Sequence, residues 1–294
     1  MSRLLWTAAL LLLAGPLRAA EPVRVAVSIL PQAWFVERLA GDAVRVQVLV
    51  GPGESPASFD PTPRQMAELS RARLLLTIGV PMENSLLPRL SRGREDLRIV
   101  DVREGMDLLP SPAHAGHDHD HDHGETDPHV WLSPARARIL AANTAAALTE
   151  LLPDQAQAIA TRLQALDAEL TDLGAELAAA LAPLRGADLL VFHPSFGYFC
   201  ADHGLHQTAV EQGGQSPSAR HLAGVLRRAR ESGARTIFVQ PQFSESSARA
   251  VAREAGLDVV VLDPLPLDYP AGLRALAAAV AAGLAPLTEV GHER

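Results

Sequence analysis

Three residues stand out for their type and their position in the chain. His129 lies in Asp127-Pro128-His129-Val130-Trp131-Leu132-Ser133-Pro134, just ahead of a predicted helix. His193 follows an apolar run ending at Val191-Phe192, in His193-Pro194-Ser195-Phe196-Gly197-Tyr198-Phe199. Asp263 follows Val259-Val260-Val261-Leu262 and precedes Pro264-Leu265. Two imidazoles and a carboxylate form a mixed nitrogen and oxygen set that suits a divalent transition metal. His193 and Asp263 come directly after strands, the edge at which open α/β sheets bind ligands. Each residue alone has a plainer reading. A histidine beside a strand is more often a hydrogen-bonded polar group, and an aspartate before proline is usually a turn or helix cap. Only their convergence points to a metal.

A second group of imidazoles is crowded into a low-complexity stretch. His114, His117, His119, His121 and His123 are interleaved with Asp118, Asp120 and Asp122. Such a run cannot build a core. It supplies many donors on a loop, with carboxylates that raise the local cation concentration. The functional reading is a low-affinity metal collector; the plain one is a solvated loop that binds metal incidentally. Glu211, in the loop before a helix starting at Pro217, is a candidate to support a ligand. Cys200 is expected to pack as a small buried side chain. His203, His206 and His221 are expected at the surface, and Trp34 and Trp131 in the core.

Composition removes several function classes. All 26 Lys+Arg residues are arginine. Without lysine there is no Walker A loop and no Schiff-base chemistry. One cysteine excludes a disulfide framework or a cysteine-based zinc finger. A net charge of −8 argues against nucleic-acid binding. There is no His-Glu-x-x-His pattern and no clear general base beside the candidate ligands, so the chain is not expected to be an enzyme. Met1 to Ala20 combines Arg3, an apolar run from Leu4 to Ala14 and a small-residue end. That reads as an export signal cut near Ala19 or Ala20, giving a soluble exported protein.

The elements that must position these residues follow a strand–helix alternation. Val23–Leu30, Val44–Val50, Leu74–Ile78 and Leu97–Val100 read as strands, with helices over 31–40 and from Thr62-Pro63 onward. Ser133-Pro134 opens a helix that runs to about Leu152. Ile159, Leu163, Leu166, Leu170, Leu173, Leu177 and Leu181 then form one apolar stripe at helical spacing. The alternation returns with strands over 188–192, 236–240 and 258–262 and helices over 217–232, 246–255 and 269–284. The fold class is α/β: two lobes, each with a mainly parallel sheet, joined by one long rigid helix. The expected division is a signal at 1–20, an N-terminal lobe at 21–152 with its His-rich loop at 111–127, a linking helix at 153–184 and a C-terminal lobe at 185–294.

Several of these segments are similar to motifs of one known family. Asp127-Pro128-His129-x-Trp131-Leu132-x-Pro134, Phe192-His193-x-x-Phe196-Gly197-Tyr198-Phe199 and Leu262-Asp263-Pro264-Leu265 resemble those of the zinc/manganese solute-binding proteins of ABC transporters, the ZnuA-like group. Phe238-Val239-Gln240-Pro241-Gln242-Phe243 and the acidic His-rich loop resemble further segments of it. The resemblance runs from Val23 to about Leu284. It implies a metal site in the cleft between the lobes, with His129, His193 and Asp263 as second, third and fourth ligands. It also implies a periplasmic, monomeric carrier of Zn²⁺, with Mn²⁺ less favoured, that delivers to a membrane permease driven by a separate ATPase. The family's first ligand is a histidine in a Pro-His-x-Tyr/Phe-Glu/Asp-Pro loop. Here that loop reads Pro56-Ala57-Ser58-Phe59-Asp60-Pro61, and Ala57 takes the histidine's place. Water, Asp60, Glu54 or a loop histidine (His117, His119, His121 or His123) is left to fill the gap. A zinc buffer or metallochaperone serving another exported protein, and a zinc hydrolase, are the alternatives.

Overall fold

The structure is a computed structural model that describes residues 21–90, 96–111, 126–211, 219–231, 233–243 and 245–285. Two four-stranded sheets hold it together, and every strand pairing in both is parallel. The first contains β1 (Val23–Val27), β2 (Val44–Val48), β3 (Leu74–Thr77) and β4 (Arg98–Asp101), in the order β2-β1-β3-β4. The second contains β5 (Asp188–Val191), β6 (His206–Ala209), β7 (Thr236–Val239) and β8 (Asp258–Val261), in the order β6-β5-β7-β8. The two orders are the same. In each, the first strand is central and the chain leaves it toward opposite edges, which creates a crevice between β1 and β3 and another between β5 and β7.

Local chemistry sets the helices. They are α1 (Leu30–Ala40), α2 (Pro63–Leu69), α3 (Met82–Leu90), α4 (Pro134–Leu151), α5 (Ala156–Leu181), α6 (Gly197–His203), α7 (Ala219–Glu231), α8 (Glu245–Ala255) and α9 (Tyr269–Leu284). Thr62, Ser133 and Asp268 cap α2, α4 and α9 by accepting from the backbone N–H three residues on. Proline in the first turn of each costs no hydrogen bond. The long element, α5, has 26 residues, about 39 Å of helix. Single 3-10 turns at 153–155 and 182–184 flank it. Its buried stripe is Ile159, Leu166, Leu170, Leu173, Leu177 and Leu181, with Leu163 half-buried. That stripe packs on α1 and α4 from the first lobe and on α6 and α9 from the second, so the helix links the lobes along its length.

The second sheet shows the period-2 alternation of a strand buried on both faces. Leu189, Val191 and Phe238 point into the core that α5 shares with the first lobe. Leu190, Phe192, Ile237 and Val239 point the other way, under α7 and α8. Three elements lie where the apolar pattern gave no signal. Helix α3 carries Asn84, Ser85 and an internal Pro88. Helix α6 has only 7 residues, and β6 reads His206-Gln207-Thr208-Ala209, with no apolar run. Among the described residues no helix is long and apolar enough to cross a membrane. The expected export signal and His114, His117, His119, His121 and His123 lie outside the described residues.

Candidate metal centre

His193 is delivered by strand register. The β5 backbone continues past Val191, where Phe192 N–H donates to Phe238 carbonyl at 2.8 Å. Val191 is paired with Phe238, so His193 stands level with Gln240, two residues beyond each. The Gln240 carboxamide closes that level on both sides. Its Oε1 accepts from His193 N–H at 3.2 Å and its Nε2 donates to His193 carbonyl at 2.7 Å. On the other flank, Glu211 N–H donates to Phe192 carbonyl at 2.9 Å, which sets Glu211 beside His193. The Glu211 Oε2 then accepts from His193 Nδ1 at 2.5 Å. Phe243 stacks on the imidazole with ring centres 4.6 Å apart.

His129 is fixed by its own neighbour. Asp127 Oδ1 accepts from His129 N–H at 3.0 Å and from His129 Nδ1 at 2.6 Å. Pro128 between them restricts the backbone. The two imidazole centres lie 5.7 Å apart, with ring planes at 74°. They come from either side of α4 and α5 in the chain, one just before α4 and the other just after β5. The same chemistry governs both. A buried carboxylate holds the proton on Nδ1 and leaves the Nε2 lone pair free, which is the tautomer a metal takes. Burial holds the His193 imidazole below its ordinary range, against the upward pull of the Glu211 hydrogen bond, so its neutral form is favoured.

Asp263 lies one residue past the strand-like pairing of Leu262 N–H with Val239 carbonyl, 2.9 Å. Its side chain is exposed. Oδ1 accepts from Leu265 N–H and from Gln242 Nε2, both at 3.0 Å. Trp131 Nε1 donates to Pro264 carbonyl at 2.6 Å, which ties this loop to the His129 segment. The segment from Gln240 to Phe243 therefore touches His193 at two points and Asp263 at one. Gln242 Oε1 is buried without a hydrogen-bond partner among the described residues, an oxygen donor left over at the rim. Among the described residues, no group of three or more His, Cys, Asp or Glu lies close enough to hold a metal. The structure thus brings His129 and His193 together and leaves Asp263 at the edge.

The loop between β2 and α2 carries the remaining candidates. Ala57 is exposed. Asp60 is paired with Arg89 at 3.2 Å, and Glu54 Oε2 accepts from Gly51 N–H at 2.7 Å. Cys200 is buried, and burial pushes its thiol up to about 12, so it offers no thiolate. His206 is exposed as expected, whereas His203 is buried, with neither ring nitrogen hydrogen-bonded. Trp131 is in the core, and Trp34 is partly buried against it. Sequence reasoning passed over Asp127, Gln240 and Phe243. A usable signal existed only for Asp127, because an aspartate two residues ahead of a fixed group is the ordinary spacing for holding its N–H.

A family model for ZnuA, described as the periplasmic component A of the zinc-uptake complex, matches residues 25–283. The chain belongs to this family. Among solved structures it is similar to a crystal structure of ZnuA, at 36% identity and a TM-score of 0.82, covering 90% of this chain and 100% of that one. It is equally similar to a zinc-bound ZnuA mutant lacking residues 138–173 of that protein, at 36% identity and a TM-score of 0.83, covering 90% of this chain and 99% of that one. A zinc-binding lipoprotein AdcA from Streptococcus pneumoniae (strain R6) is 27% identical over 251 residues, 83% of this chain and 50% of that protein. The chain thus spans about half the length of the streptococcal AdcA relatives it matches. The ZnuA fold accounts for both lobes and for the helix between them.

Proposed function

We propose that this chain captures Zn²⁺ in the periplasm and delivers it to the permease of an ABC transporter that has a separate ATPase. The observation that carries the reading is the pair of imidazoles 5.7 Å apart, each with Nδ1 on a buried carboxylate. His129 Nε2 and His193 Nε2 bind the ion. Asp263 supplies a carboxylate oxygen once its side chain leaves Gln242 and Leu265, and Met1 to Ala20 direct export. Two nitrogen donors favour zinc over manganese, which prefers oxygen-rich sites. A zinc-bound ZnuA structure supports the cargo, and the family's description as an uptake component supports transport rather than catalysis. The test is a calorimetric zinc titration of the full chain. His193→Ala and His129→Ala are each expected to abolish the tight phase, and Asp263→Ala to weaken it. A tight phase retained in His193→Ala would overturn this site.

One observation favours a second reading. On the resemblance, Ala57, an exposed methyl group, would take the place of the family's first ligand, and nearby Asp60 and Glu54 are engaged elsewhere. A site with fewer protein ligands releases zinc more readily, which suits a buffer or metallochaperone serving another exported protein. Neighbouring genes for an ATPase and a multispanning permease are expected under the transport reading; their absence would favour the buffer.

A further inference from the structure

His129 and His193 sit on different halves of the chain, so their spacing requires a fixed register between the halves. Several buried side chains outside the ligand set span the gap, Trp131 to Pro264 and Tyr269 to Trp131 among them, and one reaches Asp127 in the segment that carries His129. Tyr198 lies in the first turn of α6, five residues past His193, and is fully buried. Its hydroxyl accepts from Leu109 N–H at 2.9 Å and donates to Asp127 carbonyl at 2.9 Å. Leu109 and Asp127 are themselves joined, with Asp127 N–H to Leu109 carbonyl at 2.8 Å and a Pro110–Thr126 bridge beside it. The hydroxyl therefore grips both strands of a neck that belongs to the first half.

Asp127 is constrained at each of its polar groups. The backbone N–H and carbonyl are held as above, and Oδ1 holds His129. Oδ2 lies against Gly197, where a Cβ would come within 2.6 Å of it, closer than any real contact. The Tyr198 ring is pinned in turn by the Arg136 guanidinium, 4.5 Å from its centre. Ser133 and Arg136 bond Asp202 of the same short helix, at 2.5 and 3.3 Å. So α6, which follows directly from the His193 loop, holds the residue that aims His129.

We propose that Tyr198 is a positioning residue for the metal site: its hydroxyl, with the open face of Gly197, holds Asp127 so that His129 meets His193 at binding distance. This rests on the zinc reading above, and the test separates the two. Zinc affinity is measured by chelator competition on the full chain for the wild type, Tyr198→Phe, Gly197→Ala, Asp127→Asn, His129→Ala and the double variant Asp127→Asn/Tyr198→Phe. Thr236→Val, which removes a hydroxyl bond to Gly283 carbonyl far from the site, controls for general loss of stability. Tyr198→Phe and Gly197→Ala are expected to weaken binding about 10–100-fold, the range for groups that orient a ligand. Thr236→Val is expected to leave affinity unchanged. The double variant is expected to bind no more weakly than Asp127→Asn, because both changes act on one imidazole. The absorption spectrum of the Co²⁺-loaded protein is expected to shift in Tyr198→Phe and not in Thr236→Val. Should Tyr198→Phe fail to fold, Gly197→Ala carries the same comparison. Affinity within about twofold of wild type in Tyr198→Phe or Gly197→Ala, with His129→Ala inactive, overturns the positioning role, as does full additivity with Asp127→Asn. Tight binding by His129→Ala overturns the zinc reading itself and the proposal with it.

Discussion

An imidazole whose Nδ1 proton is held by a carboxylate is a better electron donor at Nε2 and can point in only one direction. Both histidines here have that arrangement, and Glu211 shows how much rests on the partner. It is buried, and its Oε2 lies 2.5 Å from His193 Nδ1. Replacing it by glutamine keeps the shape but removes the charge. Glu211→Gln is expected to weaken zinc binding about 10–100-fold by calorimetry while leaving thermal stability near wild type. A large drop in melting temperature with unchanged affinity would reassign Glu211 to folding alone. His129 and His193 were legible because each sits in a sequence segment with its own turn chemistry. Glu211 was visible only as a candidate support, because its place beside His193 depends on β6, and His206-Gln207-Thr208-Ala209 carries no apolar pattern. Gln240 and Phe243 were not legible, since what they touch follows from pairing across strands 47 residues apart.

Among the elements, α5 was the plainest in the sequence, for a physical reason: its apolar stripe must stay dry along its whole length to join two lobes. Leu170 is fully buried in that stripe. Leu170→Ala is expected to cost about 2–5 kcal/mol in denaturant unfolding, the range for a large core side chain that leaves a cavity. Gly174, on the same helix, has the opposite sign. A Cβ there would meet only Pro134 Cβ, at 3.4 Å, and its φ is not positive. Gly174→Ala is therefore expected to stabilise by about 0.5–1 kcal/mol, from the lower backbone entropy of the unfolded chain. If both substitutions destabilise equally, α5 is packed more tightly against α4 than the structure has it. The less legible helices are those in which local signals conflict. In α3 the internal Pro88 argues against the helix that tertiary packing of Leu86 and Leu90 enforces.

At the scale of the molecule, two lobes of one topology have different crevices. Between β1 and β3 the crevice is filled by the chain's own Glu83. Its carboxylate accepts from the Ser28 hydroxyl at 2.5 Å, Ile78 N–H at 2.9 Å and Gly79 N–H at 2.8 Å. Among the described residues, His193 stands at the edge of the β5–β7 crevice, where no carboxylate of the chain is bonded in this way. This asymmetry could not be read from the sequence, because the strand alternation of the two halves is alike. The buried groups also set how the metal-free protein responds to acid. Burial lowers the His203 imidazole, against the pull of Asp202 and with the push of Arg185. The folded state then binds its proton less readily than the unfolded chain, whose imidazole titrates near 6.5. The stability tied to neutral His203 is present above that value and is lost as pH falls through it, at no more than about 1.4 kcal/mol per pH unit for one proton. Glu83 has the opposite sign. Burial raises its carboxyl above the usual 4.5, so its cost is present at neutral pH and is relieved as pH falls through its folded value. Melting curves of the metal-free chain between pH 7.5 and 5.5 are expected to show stability falling with acid, and His203→Leu is expected to flatten that slope. An unchanged slope in His203→Leu would mean that the buried imidazole finds a partner in solution and does not govern the acid response.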